Sequence, residues 1–504
     1  MHLDTARITS LLQQAVGLQQ QGKYGHAESL YLQVLQMDAS NFDAMHLLGV
    51  LARQTGRSEL ALDLISRAIQ INPNQAAAYC NAGAVLQDLQ RPEEALASYD
   101  KALHIKPDYV LALNNRGNAL RNLSRYEEAL EDYRQAIALK PDYAEAYNNQ
   151  GIVLHKLGRN EAAIAAYQHA LRLNPAFADA CNNLGIAQHA LHDFEAAIAT
   201  YSSLIQAYPA YADAWCNRGM ALQKSQLFQQ ALENYDEALR LRPDFANAHL
   251  YRANSLRALG RTEEAKSAYL HAREQGADAE QVDYALAALG VIAAPASSPA
   301  SYVKELFDQY AEHFDLHLLE GLQYRTPALL VDMLREGLKA PSLAGTLDIV
   351  DLGCGTGLCG TLLKPFSRKL IGVDLSPNML QQAAARNVYD TLACAEINQF
   401  LSDKPESCDV VLAADVFVYV GDLAGIFAAA RAALRSDGLF AFSVEESEQE
   451  EIVLRPSLRF AHSSAYLQRM AERHGFIIKK MDSRVIRQDD GADLYGFLVV
   501  LQRN

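Results

Sequence analysis

A glycine-rich segment at residues 351–357 is the clearest chemical signal in this 504-residue sequence. It reads DLGCGTG, follows an apolar run and precedes a segment of helical character. Ligands of open α/β sheets bind at the carboxyl ends of strands, and glycines there let the backbone approach a ligand without Cβ clashes. The next apolar run ends at Asp374, whose carboxylate can accept both hydroxyls of a ribose. Together, the two segments predict a site for a ribose-containing cofactor.

Two classes of cofactor compete for this site. The spacing of Gly355, Gly357 and Gly360 matches the dinucleotide fingerprint, in which Asp374 would be the ribose acid. However, Asp351 stands at the strand end just before the glycines. A carboxylate there suits a cationic group, such as the ammonium of an amino acid, and would repel phosphate. The acid therefore favours a cofactor with an amino-acid part over a nicotinamide dinucleotide.

Strand-like apolar runs alternate with helical segments over residues 301–504. Such alternation predicts a parallel, doubly wound sheet that would position these groups. The end of the chain differs, because two strand-like runs flank an Asp-Asp-Gly turn, which indicates an antiparallel hairpin. The expected strands are residues 347–350, 369–373, 391–395, 408–413 and 439–444, the hairpin strands are 476–484 and 494–501, and the expected helices include 376–386 and 422–434.

Residues 301–504 resemble class I S-adenosylmethionine-dependent methyltransferases. The resemblance rests on residues 351–357, on residues 372–380 (GVDLSPNML), on residues 395–397 and on the terminal hairpin. It implies an α/β Rossmann-like domain that binds S-adenosylmethionine and transfers its methyl group. Residues 307–315, 322–327 and 414–422 are also similar to a bacterial group of predicted methyltransferases that carry tetratricopeptide repeats.

The resemblance implies a role for each matching residue. Asp374 would hold the ribose hydroxyls, and Glu396, where Asp is commonest, would face the adenine amine. Asp415, at the end of the fourth strand, would lie beneath the sulfonium. Tyr310 lies in a helix that would either close over the cofactor or pack its aromatic residues on the sheet. The other expected cofactor residues are Asp351, Gly353, Gly355 and Gly357 beside the methionine part, Met379 near the adenine, and Leu375 and Ile397.

A sulfonium methyl group is already activated, so such an enzyme mainly aligns the acceptor and excludes water. A general base helps only when the acceptor arrives protonated. His313, His317 and His462 are the candidate bases, and Tyr419 is a candidate positioning group. The alternative for each histidine is an ordinary surface or core residue.

Five glutamates within residues 445–451 directly follow the fifth expected strand. At the ligand edge of the sheet, they would attract a cationic acceptor and repel an anionic one. Arg455, Arg459 and His462 follow soon after and could offset this charge. The run therefore predicts a cationic acceptor, unless it is only a solvated loop.

The first half of the chain repeats with a period of 34 residues. Gly, Ala, aromatic and Pro columns keep this period, as Gly151, Ala163, Tyr167 and Pro175 illustrate. The small residues would let two antiparallel helices approach, the tyrosine would fill the gap to the next repeat, and the proline would mark the break before the next helix. The pattern resembles the tetratricopeptide repeat (TPR), with eight repeats over about residues 8–279 and atypical terminal copies.

An asparagine column with the same period predicts a peptide-binding groove. Asparagine can donate to and accept from a peptide backbone at once, and the ladder resembles the inner groove of TPR proteins that hold extended peptides. The alternative is that these residues only bond to neighbouring helices. The column consists of Asn81, Asn115, Asn149, Asn183 and Asn217. The array thus predicts a protein or peptide partner without naming it.

The composition restricts the partners and the location. The net charge is −15, and no basic run exceeds two residues, which argues against nucleic acid as the main partner. The seven cysteines form no C-x-x-C motif and do not cluster with histidines, so we expect free thiols and no metal. The sequence lacks a signal-peptide pattern and any stretch of 18 apolar residues, so we expect a cytoplasmic protein without a membrane segment.

These observations predict three regions and one main function. We expect a TPR superhelix over residues 8–290, an Ala/Pro/Ser-rich linker over 291–300 and a methyltransferase domain over 301–504. The array would present a protein substrate to the enzyme. The alternatives are a small-molecule methyltransferase that the array only localises, a scaffold whose second domain is catalytically silent, and a nicotinamide-dependent reductase.

Overall fold

The computed structural model describes residues 2–311, 314–316, 324–338, 345–448, 451–489 and 492–504. The chain divides into two compact units, Met1–Pro243 and Asp244–Asn504. Within these described ranges, no helix is long and apolar enough to cross a membrane.

The first unit is a series of helical hairpins, which confirms the predicted repeats. Alanines of the repeat column are fully buried between paired helices, as Ala129 and Ala163 are. The first helix of a pair ends at a residue with positive φ, such as Ser124 at +59° or Gly158 at +74°, which is the usual left-handed cap. The helices are α1 (His2–Gln20), α2 (Tyr24–Met37), α3 (Phe42–Gln54), α4 (Ser58–Ile71), α5 (Ala76–Asp88), α6 (Pro92–Ile105), α7 (Val110–Asn122), α8 (Tyr126–Leu139), α9 (Ala144–Lys156), α10 (Asn160–Leu173), α11 (Ala178–Ala190), α12 (Phe194–Ala207), α13 (Ala212–Lys224) and α14 (Phe228–Leu241).

The tyrosine column packs on the glycine column of the same helix pair. A Cβ atom at Gly151 would lie 2.6 Å from the ring of Tyr167, which is itself buried. The ring therefore occupies the space left by the absent side chain. It also belongs to one buried cluster with Leu184 and Ala187 of the next repeat, in keeping with the expected contact between repeats. The buried hydroxyl of Tyr133 donates to Asn118 Oδ1 at 2.8 Å, so this phenol is not left unpaired.

The second unit begins with the eighth helix pair, α15 (Ala246–Ala258) and α16 (Thr262–Glu274), and with a further helix, α17 (Ala279–Ala288), which follows this pair as a cap. The Ala/Pro/Ser stretch after it is bonded to the α/β domain. The carbonyl oxygen of Ala296 accepts from Gly421 N at 2.9 Å, and Ser298 N donates to the carbonyl of Tyr419 at 2.8 Å. We call residues 296–298 the strap. Part of the expected linker is thus attached to the domain that it precedes.

The sheet of the second unit is mostly parallel and ends in an antiparallel hairpin, as predicted. Its order is β3-β2-β1-β4-β5, followed by the antiparallel strands β9 and β8, while two short strands, β7 and β6, continue from the end of β5. The strands are β1 (Leu347–Leu352), β2 (Ser367–Asp374), β3 (Thr391–Cys394), β4 (Cys408–Ala413), β5 (Leu434–Glu446), β6 (Ile452–Leu454), β7 (Phe460–His462), β8 (Phe476–Asp489) and β9 (Ala492–Arg503).

Helices cover both faces of this sheet, as the apolar strands require. One core joins Leu330 and Leu334 to Ile349, and the opposite core joins Phe427 to Val411. The helices are α18 (Ala300–Tyr310), α19 (Phe314–Leu316), α20 (Thr326–Gly337), α21 (Leu358–Leu363), α22 (Pro377–Ala385), α23 (Ile397–Ser402), α24 (Ala424–Ala433) and α25 (Ser464–Arg473), with 3-10 turns at Lys364–Phe366 and Phe417–Tyr419.

Candidate functional site

A cavity of about 230 Å³ lies at the carboxyl ends of the parallel strands, between the strand ends, the strap and α18. This is the edge at which the sequence predicts a cofactor. Its walls include Ser298, Val303, Phe307, Phe314, Tyr324, Gly353, Gly355, Asp374, Leu375, Glu396, Ile397, Asp415, Tyr419 and Arg459. The lining is thus mostly apolar, with carboxylates along the strand ends and an arginine at one side.

The glycine loop after β1 has a conformation that requires glycine. Gly353, Gly355 and Gly357 have φ angles of +58°, +52° and +92°, in the left-handed region that glycine adopts at little cost. A Cβ atom at Gly353 would also lie 2.5 Å from Val416. Of these three glycines, Gly353 and Gly355 line the cavity.

Asp374 connects the glycine loop to the end of β2. Gly355 N donates to its Oδ2 at 2.8 Å, and Ser376 N donates to its Oδ1 at 2.9 Å. Burial raises the pKa of Asp374, and these amide hydrogen bonds oppose the increase. Ser376 Oγ in turn donates to Asp308 Oδ1 at 2.5 Å, which ties α18 to this loop. A carboxylate has about four acceptor sites, so Asp374 keeps some acceptor capacity for a ligand hydroxyl.

Asp351 is not among the described residues that line the cavity. It is 1% exposed, and the hydroxyl of Tyr389 donates to its Oδ2 at 2.6 Å. Burial raises the pKa of Asp351 to about 7, and the bond from Tyr389 opposes this shift. Its carboxylate is thus bonded to Tyr389, and the expectation that Asp351 borders the cofactor stays a prediction. Gly360, the last glycine of the dinucleotide match, leaves room for the ring of Tyr389.

The side of the cavity near β3 carries the residues expected near an adenine. Glu396, Ile397 and Leu375 line it. Glu396 also caps α23, since its Oε2 accepts from Gln399 N at 2.8 Å. Met379 is fully buried and is not among the described lining residues, so it packs beneath this wall instead of forming it.

The short helix α19 lies over the glycine loop. Phe314 lines the cavity, Thr356 Oγ1 donates to Asp315 Oδ1 at 2.5 Å, and Arg386 donates to the other oxygen of Asp315. The side chain of Tyr310 and the residues His313 and His317 lie outside what the structure describes. Their predicted roles stay predictions.

Asp415 lies at the end of β4 in a strained conformation. Its φ is +60°, which is uncommon for a residue with a Cβ atom, and its amide donates to Ser443 Oγ at 2.8 Å. Arg487 donates to Asp415 Oδ2 at 2.9 Å. The other oxygen, Oδ1, is buried and has no hydrogen-bond partner in the described part of the chain. Asp415 therefore brings an unsatisfied carboxylate oxygen to the cavity wall.

A buried charge network continues from Asp415 towards β5. Arg487 is 2% exposed and Glu445 1% exposed, and Arg487 donates to both Glu445 and Asp415. Arg455 donates to the second oxygen of Glu445 at 2.8 Å. These contacts neutralise the first glutamate of the acidic run.

The other described glutamates of the run also lie away from the cavity. Glu451 pairs with Arg469 at 2.5 Å, and Glu446 and Glu448 line a separate surface depression. None of the described glutamates at residues 445–448 and 451 lines the cavity. These described glutamates therefore do not form the cavity wall, and a cationic acceptor stays a prediction.

Tyr419 and His462 have different environments. Tyr419 lines the cavity, and its ring packs edge-on against Phe307 at 5.5 Å. His462 is fully buried on β7, its Nε2 lies 2.9 Å from the carbonyl of Gly421, and burial lowers its pKa to about 4. His462 is not among the described lining residues. The structure thus places His462 in the domain core, and its role as a general base stays an untested prediction.

Helices of the eighth repeat and the cap hold one wall of the cavity. Arg257 on α15 donates to the carbonyl of Pro456 at 2.7 Å. Tyr284 on α17 donates to the carbonyl of Leu458 at 2.8 Å and lies 2.6 Å from Ser298 Oγ in the strap. Because Ser298 and the neighbouring Arg459 line the cavity, this wall depends on residues that we assigned to the TPR region.

The asparagine column of the first unit bonds between successive repeats. Asn149 donates to Asn114 at 3.1 Å, and Asn183 donates to Asn148 at 3.1 Å. Asn217 donates to Asn182 at 3.0 Å, and the amide of Asn81 lies 2.9 Å from His46. The amide of Asn115 lies 4.0 Å from the sulfur of Cys80. The alternative of bonds between neighbouring helices is therefore observed, and peptide binding stays a prediction.

Two residues near the site, Tyr389 and Arg487, were not predicted from the sequence. Tyr389 follows α22 in a loop that belongs to no motif, and its role depends on a contact with Asp351 across 38 residues. Arg487 gave little signal, since it lies three residues beyond the expected strand 476–484. An arginine is seldom fully buried unless it is paired, and the carboxylates that pair with Arg487 are distant in the sequence.

Family comparisons agree with this division of the chain. A family described as a methyltransferase domain matches residues 350–442. Several families described as TPR or tetratricopeptide repeats match segments between residues 12 and 245, including 12–76, 117–158 and 212–245.

Individual relatives match only parts of the chain. The Homo sapiens methyltransferase-like protein 27 is 38% identical over 108 residues, which is 21% of this chain and 43% of the relative. The malonyl-[acyl-carrier protein] O-methyltransferase of Acetivibrio thermocellus is 31% identical over 142 residues, which is 27% of this chain and 47% of the relative. The chain thus spans less than half the length of these curated relatives.

Solved TPR structures match the repeat region, and YrrB is an example. YrrB, a TPR protein with an unusual peptide-binding site, is 27% identical, and the alignment covers 36% of this chain and 95% of that one with a TM-score of 0.32. The family matches, the repeat columns and the sheet topology together identify the chain as a fusion of a TPR array with a methyltransferase domain.

Proposed function

We propose that the α/β domain transfers a methyl group from S-adenosylmethionine to an acceptor. The observation that carries the proposal is the buried, unpartnered Oδ1 of Asp415 on the cavity wall. A buried carboxylate oxygen without a partner is costly unless a cation meets it. The sulfonium and ammonium groups of this cofactor are cations of that kind.

The other wall residues fit the remaining parts of the cofactor. Asp374 offers its remaining acceptor capacity to the ribose hydroxyls, and Glu396 offers Oε1 to the adenine amine while Oε2 caps α23. Leu375, Ile397 and Phe314 supply apolar walls. When bound, S-adenosylmethionine supplies a methyl group already activated on a cationic sulfur. The domain then has to orient the acceptor and exclude water, which Phe307, Phe314 and the strap do by covering the strand ends.

We propose that the TPR array binds a protein or peptide partner, in keeping with the general role of such repeats. The partner would be the substrate or its carrier, and the alternative is that the array only localises the enzyme. The Acetivibrio relative is named for O-methylation of a malonyl group on acyl-carrier protein. By analogy, oxygen is the acceptor atom that we favour.

Calorimetric titration of the full chain with S-adenosylmethionine, S-adenosylhomocysteine and NAD tests the cofactor. We expect both adenosyl ligands to bind and NAD not to bind. Asp374→Ala should weaken adenosyl binding about 10- to 100-fold, because it removes charge-assisted hydrogen bonds. Asp332→Ala is the matched control, since Asp332 is an exposed acid on α20 outside the cavity lining. Binding of NAD alone, or unchanged affinity in Asp374→Ala, would contradict the proposal.

Two truncations test the role of the array. Removal of residues 1–243 leaves the second unit with Arg257 and Tyr284 in place, so cofactor affinity should change less than about 3-fold. Removal of residues 1–290 also removes the contacts that Arg257 and Tyr284 make with the cavity wall. It should therefore reduce acceptor turnover more than removal of residues 1–243 does. If the array presents the substrate, the shorter truncation raises the acceptor KM. An unchanged KM would favour localisation.

A further inference from the structure

Helix α17 contacts three elements that form one wall of the cavity. These elements are the strap, the helix α18 and residues 455–459, which connect β6 to β7 and which we call the β6–β7 turn. Each of them contributes to the cavity lining, through Ser298, Val303 and Arg459 respectively. Tyr284 of α17 is 3% exposed and contacts all three elements. It is not among the described lining residues, so it lies behind this wall.

The hydroxyl of Tyr284 links the strap to the β6–β7 turn. It lies 2.8 Å from the carbonyl oxygen of Leu458 and 2.6 Å from Ser298 Oγ. Burial raises the pKa of Tyr284, so the phenol keeps its single proton. A carbonyl oxygen can only accept a hydrogen bond. The phenol therefore donates to Leu458 and accepts from Ser298, and one group holds both elements.

The β6–β7 turn has a strained backbone. The φ angle of Leu458 is +65°, an outlier for a bulky side chain. Inside the turn, Leu458 N donates to the carbonyl of Arg455, and Arg455 N donates to that of Arg459, both at 2.9 Å. Strained residues persist only where their surroundings hold them, and they are concentrated at ligand sites. The bond from Tyr284 is such a restraint on the residue that precedes Arg459 in the lining.

The strap is held from two directions. Its backbone is bonded to the segment after β4, since Ser298 N donates to the carbonyl of Tyr419 at 2.8 Å and Gly421 N donates to the carbonyl of Ala296 at 2.9 Å. The side chain of Ser298 is bonded to Tyr284 instead. The α/β domain thus fixes the backbone of the strap, and the cap helix α17 fixes a side chain that lines the cavity.

The contacts of α17 with α18 are of a different kind. The rings of Tyr284 and Tyr302 lie 5.4 Å apart, and Ser301 Oγ donates to Glu280 Oε2 at 2.8 Å. Neither contact uses the hydroxyl of Tyr284. A Tyr284→Phe substitution therefore keeps the ring packing on α18 and removes only the hydrogen bonds to the strap and to the β6–β7 turn.

On the basis of the proposed function, we infer that Tyr284 is a positioning residue that holds the strap and the β6–β7 turn against the bound cofactor, and that it thereby slows the release of S-adenosylhomocysteine. It acts through Ser298 and through Arg459, which line the cavity. The movement of covering segments and the release of product limit turnover in many enzymes. The cap helix of the repeat region is thus a working part of the methyltransferase site.

A release experiment tests this role without an acceptor. The full chain is loaded with labelled S-adenosylhomocysteine, mixed with an excess of unlabelled ligand, and the loss of bound label is followed over time. Tyr284→Phe should release the ligand about 10-fold faster, because two hydrogen bonds are lost. Tyr133→Phe is the matched control, since it removes a buried phenol hydroxyl that donates to Asn118 in the first unit. The control should change the release rate less than about 3-fold.

The same variants separate positioning from a purely structural role. Thermal unfolding is followed by circular dichroism, and both Tyr284→Phe and Tyr133→Phe should lose some stability while remaining folded at the temperature of the release experiment. An unchanged release rate in Tyr284→Phe, or an equal acceleration in Tyr133→Phe, overturns the inference. A failure of S-adenosylhomocysteine to bind to the unchanged chain instead overturns the proposed function beneath it.

A double variant tests the path through the strap. Ser298→Ala removes the donor to Tyr284, so the bond between these side chains is already absent when Tyr284→Phe is added. The combined variant should therefore release S-adenosylhomocysteine more slowly than the product of the two single effects requires. Effects that multiply fully would mean that Tyr284 does not act through Ser298, and would overturn the inferred contact with the strap.

Discussion

Glycine serves opposite purposes in the two units. In the repeats, Gly151 lies in regular helix, and a Cβ atom there would come within 2.6 Å of the ring of Tyr167. In the loop after β1, a Cβ atom at Gly355 would meet nothing closer than Phe314 at 3.7 Å, but φ is +52°. Gly151 is required because a side chain would clash with the ring, whereas Gly355 is required because its backbone has a positive φ angle. A periodic column of glycines in a sequence therefore indicates close packing between helices. A cluster of glycines after a strand indicates a loop with positive φ angles.

The polar groups beside these glycines differ as well. The tyrosines of the repeats remain neutral, since burial raises their pKa, to about 12 for Tyr31. The glycine loop instead lies against a buried acid, Asp351, whose pKa is raised to about 7. The repeats thus use neutral groups next to their glycines, whereas the loop carries a group that titrates near neutral pH.

Replacement of that acid should give the largest effect. The folded chain keeps the proton of Asp351 up to about pH 7, whereas an unfolded chain loses it near pH 4. The folded state therefore binds more protons between these values, so the stabilisation from the neutral acid is complete below about pH 4 and is lost as the pH rises through about 7. Asp351→Asn should remove this loss. As the pH rises from 4 to 8, the free energy of unfolding of Asp351→Asn should increase by up to about 4 kcal/mol relative to that of the unchanged chain.

The measurement is urea unfolding at several pH values, followed by hydrogen exchange in peptides from β1. Asp348→Asn on the same strand is the control, because the pKa of Asp348 is lowered by its bond from Arg368. The ionised Asp348 stabilises the folded chain above about pH 4, and Asp348→Asn removes this stabilisation. The difference in free energy of unfolding between this variant and the unchanged chain should therefore be constant between about pH 5 and 8. A parallel pH dependence for Asp351→Asn and the unchanged chain would contradict the account of Asp351.

A substitution in the repeat column should have an intermediate effect. Gly151→Ala introduces a methyl group against Tyr167 and should destabilise the first unit by about 1–3 kcal/mol, the usual cost of overpacking. Gly17→Ala in α1 is the control, since nothing lies within 4 Å of the added Cβ atom. That change should be neutral or stabilise the unit by up to about 1 kcal/mol. Trp215 fluorescence during urea unfolding reports on this unit, and equal stability of the two variants would refute the packing role.

The periodic parts of the fold were predictable from sequence because their contacts are local. The 34-residue columns predicted the helix pairs, and the apolar runs predicted β1 to β5 and the hairpin to within a few residues at most ends. The strands β6 and β7 were not predicted, since three residues are too few to show a period. The strap was read as a linker because its composition does not reveal the hydrogen bonds that hold it.

The charge network was not predictable because it depends on register. Neighbours along a strand normally face opposite sides, yet Ile486 and Arg487 are both buried. The pairing of β8 with β9 shifts register between Val485 and Arg487, and such a bulge redirects side chains. The same limitation applies to the acidic run at residues 445–451. Its first glutamate is neutralised by an arginine that lies 42 residues away in the sequence, and no local pattern reveals this contact.

The smallest effect, on the loop glycine, gives the most direct test of the comparison. Gly355→Ala places a Cβ atom at φ +52°, which costs about 1–2 kcal/mol, and relaxation would turn the amide away from Asp374. Because Asp374 would then lose a partner that orients it, affinity for S-adenosylhomocysteine should fall about 10-fold. Gly345→Ala carries the same strain at φ +68° with no atom within 4 Å and outside the cavity lining. Gly345→Ala should lose a similar free energy of unfolding but keep its affinity for S-adenosylhomocysteine, as measured by calorimetry. Equal affinities in the two variants would mean that the backbone conformation of Gly355 does not contribute to ligand binding.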